Sequence, residues 1–151
     1  AIEHMASRLP VFGVGADVIT GFPGETPADH AATVALVESL PFTYLHVFPY
    51  SPRPGTAATR LGGDVPPVVA RERAGELRRI AEAKATAHAA SRVGQEADVV
   101  MIGRGRGLTE DYLEVDVCSG EIGRGERTQV ALVNFNNGSL AAVACAPARS
   151  S

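Results

Sequence analysis

The stretch Asp-Val-Ile-Thr-Gly-Phe-Pro-Gly-Glu-Thr-Pro-Ala-Asp, residues 17 to 29, constrains the fold more than any other segment of this chain. A strand pattern stops at Gly21 and turns through Phe-Pro-Gly. Thr26 is a good helix N-cap, Pro27 suits the first helical position, and Asp29 completes a variant capping box. A strand that passes through a tight turn into a capped helix is the unit from which α/β proteins build ligand sites.

A second strand-and-turn unit follows at once, because the residues from Phe42 to Tyr50 predict a strand that enters Ser-Pro-Arg-Pro-Gly-Thr. Pro66-Pro67 then opens a long helix that reaches to about Arg92, with alanines and a leucine along one face. The order strand, helix, strand, helix indicates an α/β fold, and we interpret the two units as the last βα units of a barrel.

The two strands are each predicted to have one face for packing and one face for a ligand. The first strand is predicted from Val11 to Thr20. Small and polar residues that would face a barrel interior alternate along it: Gly13, Gly15, Asp17, Ile19 and Gly21. Rings that suit the stacking of a planar group share one face of the second: Tyr44, His46, Phe48 and Tyr50. The plainer alternative is that Asp17 and His46 are satisfied core residues.

Two charged side chains lie in the turns that follow these strands. Glu25 could hold a polar ligand group at the strand end, or it could cap or salt-bridge locally. Arg53 lies in a loop stiffened by two prolines, where a fixed guanidinium can bind a carboxylate or a phosphate; alternatively it is a surface arginine.

The pattern after Gly94 changes to short strands, predicted at 97–102, 113–117, 128–135 and 139–144. The last two form a hairpin around Asn136-Asn137-Gly138, which is a strong turn signal. This density of strands fits a small five-stranded barrel of the kind that often binds oligonucleotides. Gly103-Arg-Gly-Arg-Gly107 is predicted to be a flexible basic loop, although several acidic residues nearby weaken the charge argument.

Composition and motifs exclude several classes of function. The formal net charge of −3 gives no general attraction to nucleic acid, and no apolar run is long enough to span a bilayer. The two cysteines, Cys118 and Cys145, are interpreted as buried or half-buried thiols. Dinucleotide, P-loop, nucleophile-elbow and metal-ligand spacings are all missing. We therefore expect a cytoplasmic protein with no membrane partner, no metal ligands and no catalytic residues of its own.

Two long segments resemble the C-terminal part of the radical S-adenosylmethionine methylthiotransferases. They are Gly15-Ala-Asp-Val-Ile-Thr-Gly-Phe-Pro-Gly-Glu-Thr26 and Tyr44-Leu-His-Val-Phe-Pro-Tyr-Ser-Pro-Arg-Pro-Gly-Thr56. The second is most similar to the subgroup that methylthiolates C2 of N6-threonylcarbamoyladenosine beside the tRNA anticodon. The segment from Val93 to Leu113 looks like that family's TRAM domain, a small RNA-binding β-barrel.

The resemblance implies S-adenosylmethionine as a cofactor and radical cleavage as its chemistry. It places the cofactor or target-base pocket at eight matching positions: Asp17, Ile19, Gly21, Glu25, Phe48, Tyr50, Ser51 and Arg53. The match to the family's Gly-x-Ile-x-Gly-x-x-Glu pattern is imperfect, since Asp17 replaces a glycine and Glu25 comes one residue late. Contacts with RNA phosphates are expected at Arg104, Arg106 and Arg124.

The resemblance also identifies what this chain lacks. Family members hold [4Fe–4S] clusters through a Cys-x3-Cys-x2-Cys motif and three further cysteines, and neither set occurs here. We therefore expect a C-terminal fragment that cannot catalyse the reaction alone, with the N-terminal half supplied by the same gene or by a separate chain. The expected domains are 1–92 (barrel and long helix), 93–147 (TRAM-like barrel) and 148–151 (disordered tail).

Three alternatives remain open from the sequence. The substrate could be isopentenyladenosine tRNA or a ribosomal protein. The chain could instead be a non-catalytic RNA-binding protein, for which salt-dependent tRNA binding without iron would be the sign. It could also be a truncated product without function, whose exposed strand edges would make it poorly soluble.

Overall fold

A computed structural model describes residues 2–118, 122–136 and 138–145 of the chain. It divides into two compact units, one formed by Ala1–Pro10 with Val14–Ala85 and the other by Val11–Gly13 with Thr86–Ser151. The boundary at residue 85 falls inside the long helix, some residues before the boundary at 92 that the sequence suggests. The expected tail at 148–151 lies outside the described residues.

The first unit is built around two parallel strands. In chain order it contains α1 (Ile2–Ala6), β1 (Gly15–Thr20), α2 (Pro27–Ser39), β2 (Tyr44–Pro49), a 3-10 turn (Ala57–Arg60) and most of α3 (Pro67–Ser91). Each residue of β1 lies opposite the residue of β2 that occupies the same place along the strand, from Gly15 opposite Tyr44 to Thr20 opposite Pro49. The predicted order of elements in this unit is therefore confirmed.

The first strand is shorter than the sequence pattern indicates, since it begins at Gly15 instead of Val11. The reason is the length of its partner, because β2 begins only at Tyr44. The chain before β1 is held by Thr43, whose backbone N–H donates to the Val14 carbonyl at 2.8 Å and whose hydroxyl accepts from the Val14 N–H at 3.0 Å. Without a neighbouring strand, the residues before Gly15 have no ladder to join.

One face of the two-stranded sheet is covered by the helices. Val47 is buried with Val37 of α2 and with Ala74 and Leu77 of α3, and Val18 packs against this cluster. The other face carries exposed side chains, which are Asp17, Ile19, His46 and Phe48. The predicted division of the strands into a packing face and an open face is therefore correct for these residues.

The α2 helix begins as predicted. The Thr26 hydroxyl accepts from the Asp29 backbone N–H, and the Asp29 carboxylate accepts from the Thr26 backbone N–H at 2.9 Å, which completes the capping box. The Thr26 hydroxyl also donates to the Asp29 carboxylate at 2.7 Å, and this bond, together with the one from the Thr26 backbone N–H, lowers the pKa of Asp29 below its ordinary value. The cap fixes the point at which the chain leaves the turn that follows β1.

The second unit is a closed five-stranded barrel. Its strands are β3 (Glu96–Gly103), β4 (Arg106–Thr109), β5 (Glu114–Val117), β6 (Arg127–Asn136) and β7 (Ser139–Ala144), paired in the order β3-β4-β5-β7-β6. Its core is formed by side chains from every strand except the short β4, including Val99, Val115, Val130, Leu132 and Leu140. An α/β unit followed by a small β-barrel is the fold class that the sequence predicts, and it is confirmed.

The prediction of a flexible loop at Gly103–Gly107 is wrong. Arg104 and Gly105 form a two-residue turn in which Gly105 adopts a φ of +66°, and β4 begins at Arg106. Gly107 lies within that strand. A β-carbon there would lie 2.1 Å from Val99 Cγ1, so only glycine allows β3 and β4 to pack this closely. Of the glycines that suggest a loop, Gly105 allows the tight turn and Gly107 allows the close packing of the two strands.

The interpretation of the cysteines is wrong for Cys118, which is exposed, and correct for Cys145, which is partly buried. The expected hairpin between β6 and β7 is confirmed, with Gly138 at a φ of +79°. Across the described residues, no helix combines the length and the apolar character needed to cross a bilayer.

Candidate functional site

The carboxyl ends of β1 and β2 lie together and open into a cavity of about 510 Å³, called here the strand-end cavity. Its walls are mainly apolar and aromatic, with one guanidinium: Ile19, Phe22, Phe48, Tyr50, Ser51 and Arg53 line it. Ile19 and Phe48 are 54% and 52% exposed, so two large apolar side chains face the opening. Such a surface fits a planar, mostly apolar ligand group.

Aromatic rings extend along the open face and the turn. On β2 the His46 ring stacks on Phe48 with centroids 6.4 Å apart, and it meets the Tyr44 ring edge-on at 5.7 Å. In the turn, Phe22 meets Tyr50 edge-on at 5.3 Å. These contacts hold the rings of Phe22 and Phe48 in defined orientations at the cavity, as a stacking site requires.

The structure brings together five of the eight residues for which the sequence suggests a ligand role: Ile19, Phe48, Tyr50, Ser51 and Arg53. Gly21 lines a neighbouring cavity of about 530 Å³ that shares Tyr50 with the first. Asp17 lies outside both cavities, on the open sheet face opposite His46. The ligand roles themselves stay predictions.

Glu25 is placed differently, with its carboxylate turned inward beneath the turn. Its Oε2 accepts from the Gly21 backbone N–H and lies 2.9 Å from Arg73 Nη1, and its Oε1 lies 3.8 Å from His30 Nδ1. The side chain is only 12% exposed. This is the local ion-pairing arrangement that the sequence left open as the alternative to a direct ligand contact.

The Tyr50 hydroxyl is a buried polar atom without a hydrogen-bond partner among the described residues. A buried hydroxyl without a hydrogen bond costs free energy, so a ligand atom that accepts a hydrogen bond from it would bind more favourably. Together with the apolar walls and Arg53, this hydroxyl makes the strand-end cavity suitable for a nucleoside that carries a carboxylate. S-adenosylmethionine therefore fits the residues present.

An iron–sulfur cluster does not fit this part of the chain. Within residues 2–118, 122–136 and 138–145, no group of three or more histidine, cysteine, aspartate or glutamate side chains is arranged to hold a metal. Cys118 and Cys145 are both free thiols on the barrel unit. Two thiols are fewer than the ligands a cluster requires.

The barrel gathers two of the three arginines expected to contact RNA. Arg104 and Arg124 line a groove of about 550 Å³, called here the barrel groove, together with glycines, Ile122 and Glu126. Both arginines are exposed, and neither has an ion-pair partner within the described ranges. Arg106 is not in the groove, because it lies on β4 and pairs with Glu114.

A buried charge cluster around Asp111 was not found from the sequence. The Asp111 carboxylate, 1% exposed, lies 2.8 Å from His88 Nε2 and 3.0 Å from Arg92 Nε, and it accepts from the Thr109 hydroxyl at 2.6 Å. Burial raises the pKa of Asp111, but bonds from His88 and Thr109 and the charge of Arg92 outweigh it, so the pKa lies below 3.8. The sequence does contain one local sign of this cluster, since Thr109 precedes Asp111 by two residues and its hydroxyl can donate to the carboxylate.

Comparison with known proteins identifies relatives over most of this chain. The threonylcarbamoyladenosine tRNA methylthiotransferase MtaB of Thermotoga maritima is 35% identical over 127 residues, which is 81% of this chain and 29% of that protein. MtaB of Aquifex aeolicus is 32% identical over 76% of this chain. A tRNA-2-methylthio-N(6)-dimethylallyladenosine synthase of Coxiella burnetii is 37% identical over 135 residues, 89% of this chain and 28% of the relative.

The chain spans less than a third of the length of these relatives. None of the protein-family models compared with the chain matches it. The relatives include two kinds of named tRNA methylthiotransferase at comparable identity. On these similarities, and on the motifs that frame the strand-end cavity, the chain belongs to the radical S-adenosylmethionine methylthiotransferase family.

Proposed function

We propose that this chain is the C-terminal part of an enzyme that methylthiolates C2 of N6-threonylcarbamoyladenosine in tRNA. The observation that carries the proposal is the strand-end cavity, in which aromatic and aliphatic walls adjoin Arg53. Relatives named for this reaction match most of the chain, which supports the same substrate class. A tRNA substrate implies a cytoplasmic location, and that location is part of the proposal.

The residues of the cavity would bind and orient S-adenosylmethionine or the modified base. Phe48 and Ile19 offer apolar surface to a purine ring, and Arg53 can bind a carboxylate through paired N–H donors. The Tyr50 hydroxyl is available to donate to an acceptor on the same ligand. When bound, S-adenosylmethionine supplies an activated methyl group, while these side chains fix its position and exclude water.

The barrel would supply the contact with tRNA. Arg104 and Arg124 are exposed in one groove without ion-pair partners among the described residues, so both are available for phosphates. Arg106 could contribute only by sharing or leaving Glu114. Phosphate contacts of this kind position an RNA without reading its sequence, so the choice of nucleoside would fall to the strand-end cavity.

The proposal is tested first by sequencing the reading frame upstream of the Ala1 codon and then by assaying the product of the complete frame. We expect an open frame of some hundreds of codons that contains Cys-x3-Cys-x2-Cys. The product of the complete frame, reconstituted with iron and sulfide, should add a methylthio group to threonylcarbamoyladenosine in tRNA, as measured by mass spectrometry of nucleosides. Methylthiolation of dimethylallyladenosine instead would reassign the substrate, and no methylthiolation of either nucleoside would refute the proposal.

A second candidate function is RNA binding without catalysis by this chain. The barrel groove favours it, because Arg104 and Arg124 are both exposed there. A stop codon directly upstream, together with salt-dependent tRNA binding by the isolated chain, would support this candidate over the enzyme.

A further inference from the structure

The turn that follows β1 is anchored by a buried network that reaches both neighbouring helices. Glu25 is at its centre, Arg73 and Glu76 lie on α3, and His30 lies on α2. We propose that Arg73 and His30 are positioning residues, which act through Glu25 to hold the Gly21–Glu25 turn in its ligand-binding shape. The inference rests on the proposed function, because it assigns the turn to a ligand site.

The carboxylate, the backbone carbonyl and the backbone N–H of Glu25 each bind a neighbouring group. Arg73 Nη1 donates to the Glu25 backbone carbonyl at 3.1 Å and lies 2.9 Å from the carboxylate Oε2, which also accepts from the Gly21 N–H. The Glu25 backbone N–H donates to the Phe22 carbonyl at 2.9 Å. One arginine of α3 therefore fixes both ends of Glu25, and through it the first residue of the turn.

His30 continues the network from the opposite side. Its Nε2 lies 2.7 Å from Glu76 Oε2, while its Nδ1 is buried without a hydrogen-bond partner and faces Glu25 Oε1 at 3.8 Å. The imidazole thus stands between two carboxylates on different elements. With Arg73 it encloses the Glu25 side chain, which leaves that carboxylate little freedom to move toward solvent.

The backbone at Gly21 packs closely against α3 and leaves no room for a side chain. This residue has a φ of +73°, and a β-carbon there would lie 2.3 Å from Ala70 Cβ. Gly21 lines the second cavity, while Phe22, the next residue, lines the strand-end cavity. A shift of the Gly21 amide would therefore change the walls of both cavities at once.

Stability alone is a poor explanation for the burial of the Arg73–Glu25 ion pair and of the His30 ring beside it. Arg73 and His30 are each 9% exposed, and a buried ion pair often contributes little net stability compared with apolar residues of similar volume. A network of this kind is better explained by the geometry that it fixes. Here that geometry is the orientation of the Gly21 amide at the end of β1.

The test uses two readouts, the Gly21 amide resonance of the ¹⁵N-labelled chain and the Kd for S-adenosylmethionine from calorimetry. We expect Arg73→Leu to displace the Gly21 resonance and to weaken S-adenosylmethionine binding by about tenfold, because the turn loses the contacts that hold its ligand-binding shape. His30→Gln should do both to a smaller extent. Arg73→Lys, which keeps the charge, should recover part of the affinity and retain the fold if the leucine variant does not.

Arg78→Leu is the matched control, because Arg78 also lies on α3 and its guanidinium donates to the Val47 carbonyl at 2.8 Å, away from the turn. It should leave the Gly21 resonance in place. An unmoved Gly21 resonance in Arg73→Leu, or an equal displacement in Arg78→Leu, would overturn the inference. If the unmodified chain binds no S-adenosylmethionine, the proposed ligand is wrong, yet the Gly21 resonance still decides whether Arg73 positions the turn.

Discussion

Ile19 and Phe48 lie directly opposite each other on the parallel strands β1 and β2, and both leave about half of their surface exposed at the strand-end cavity. Their neighbours Val18 and Val47 point into the core instead. Adjacent residues of one strand therefore face the cavity and the core in turn. Matched substitutions on the two faces can therefore test the proposed ligand site separately from stability.

Replacing Phe48 by alanine should weaken S-adenosylmethionine binding by about tenfold, since stacking of a base on an aromatic ring contributes about 1–3 kcal/mol. The melting temperature should change little, because the ring is half exposed. Val47→Ala is the control, and its buried cavity should lower the free energy of unfolding by about 2 kcal/mol. Isothermal calorimetry and thermal unfolding measure the two effects. Unchanged binding by the Phe48 variant would remove this ring from the site.

Substitution of Arg104 and Arg124 by glutamine should weaken tRNA binding and make it less dependent on salt. Removing one arginine–phosphate interaction should reduce the slope of log Kd against log salt by about one, so the double variant should show a slope smaller by about two. Arg127→Gln serves as the comparison, because that guanidinium is already paired with Asp98. Filter binding at several salt concentrations gives the slopes, and equal slopes for all variants would contradict a phosphate role.

Removal of the Asp111 carboxylate should destabilise the barrel unit. Asp111→Ala leaves Arg92 without its buried partner, which is expected to cost about 3–5 kcal/mol. Glu110→Gln alters another partner of Arg92, but that carboxylate is 35% exposed and should cost no more than about 1 kcal/mol. Urea unfolding measures both. A decrease of similar size in the two variants would show that burial of Asp111 is not the cause.

The same carboxylate should make stability depend on pH in the acid range. Because the folded-state pKa of Asp111 lies below its ordinary value of 3.8, the unfolded chain binds the proton first as the pH falls. The stabilisation is therefore complete above that ordinary value and is lost as the pH falls through the folded-state pKa. The Asp111→Asn variant should lack this pH-dependent contribution to stability. The difference in unfolding free energy between the variant and the unmodified chain should therefore become smaller as the pH falls. A difference that stays constant from neutral pH into the acid range would exclude this linkage.

Local patterns in the sequence were sufficient for most of the helices and strands and for most of the residues around the strand-end cavity. The alternation of Ile19 and Phe48 with core residues, the Thr26 cap and the Asn136–Gly138 hairpin each depend on neighbours within a few residues. The cavity-facing side chains at the ends of the two consecutive parallel strands follow from the same alternation. For this reason, five of the eight residues with a predicted ligand role lie around the strand-end cavity.

The features that were missed depend on contacts between distant residues. Glu25 is turned inward by Arg73, which follows it by 48 positions, and Asp111 is buried by partners at the end of α3. Neither partner is visible in a local pattern. Strand β4 escaped notice because its Gly107 resembles a loop residue, although contact with Val99 is what requires the glycine.

The most direct measurement is a titration of the ¹⁵N-labelled chain with S-adenosylmethionine, followed through backbone amide resonances. We expect saturable shifts at Ile19, Phe48, Ser51 and Arg53, with the resonances of the barrel core unchanged. Shifts that do not saturate, or that occur only away from the strand-end cavity, would contradict the account of this cavity as a ligand site.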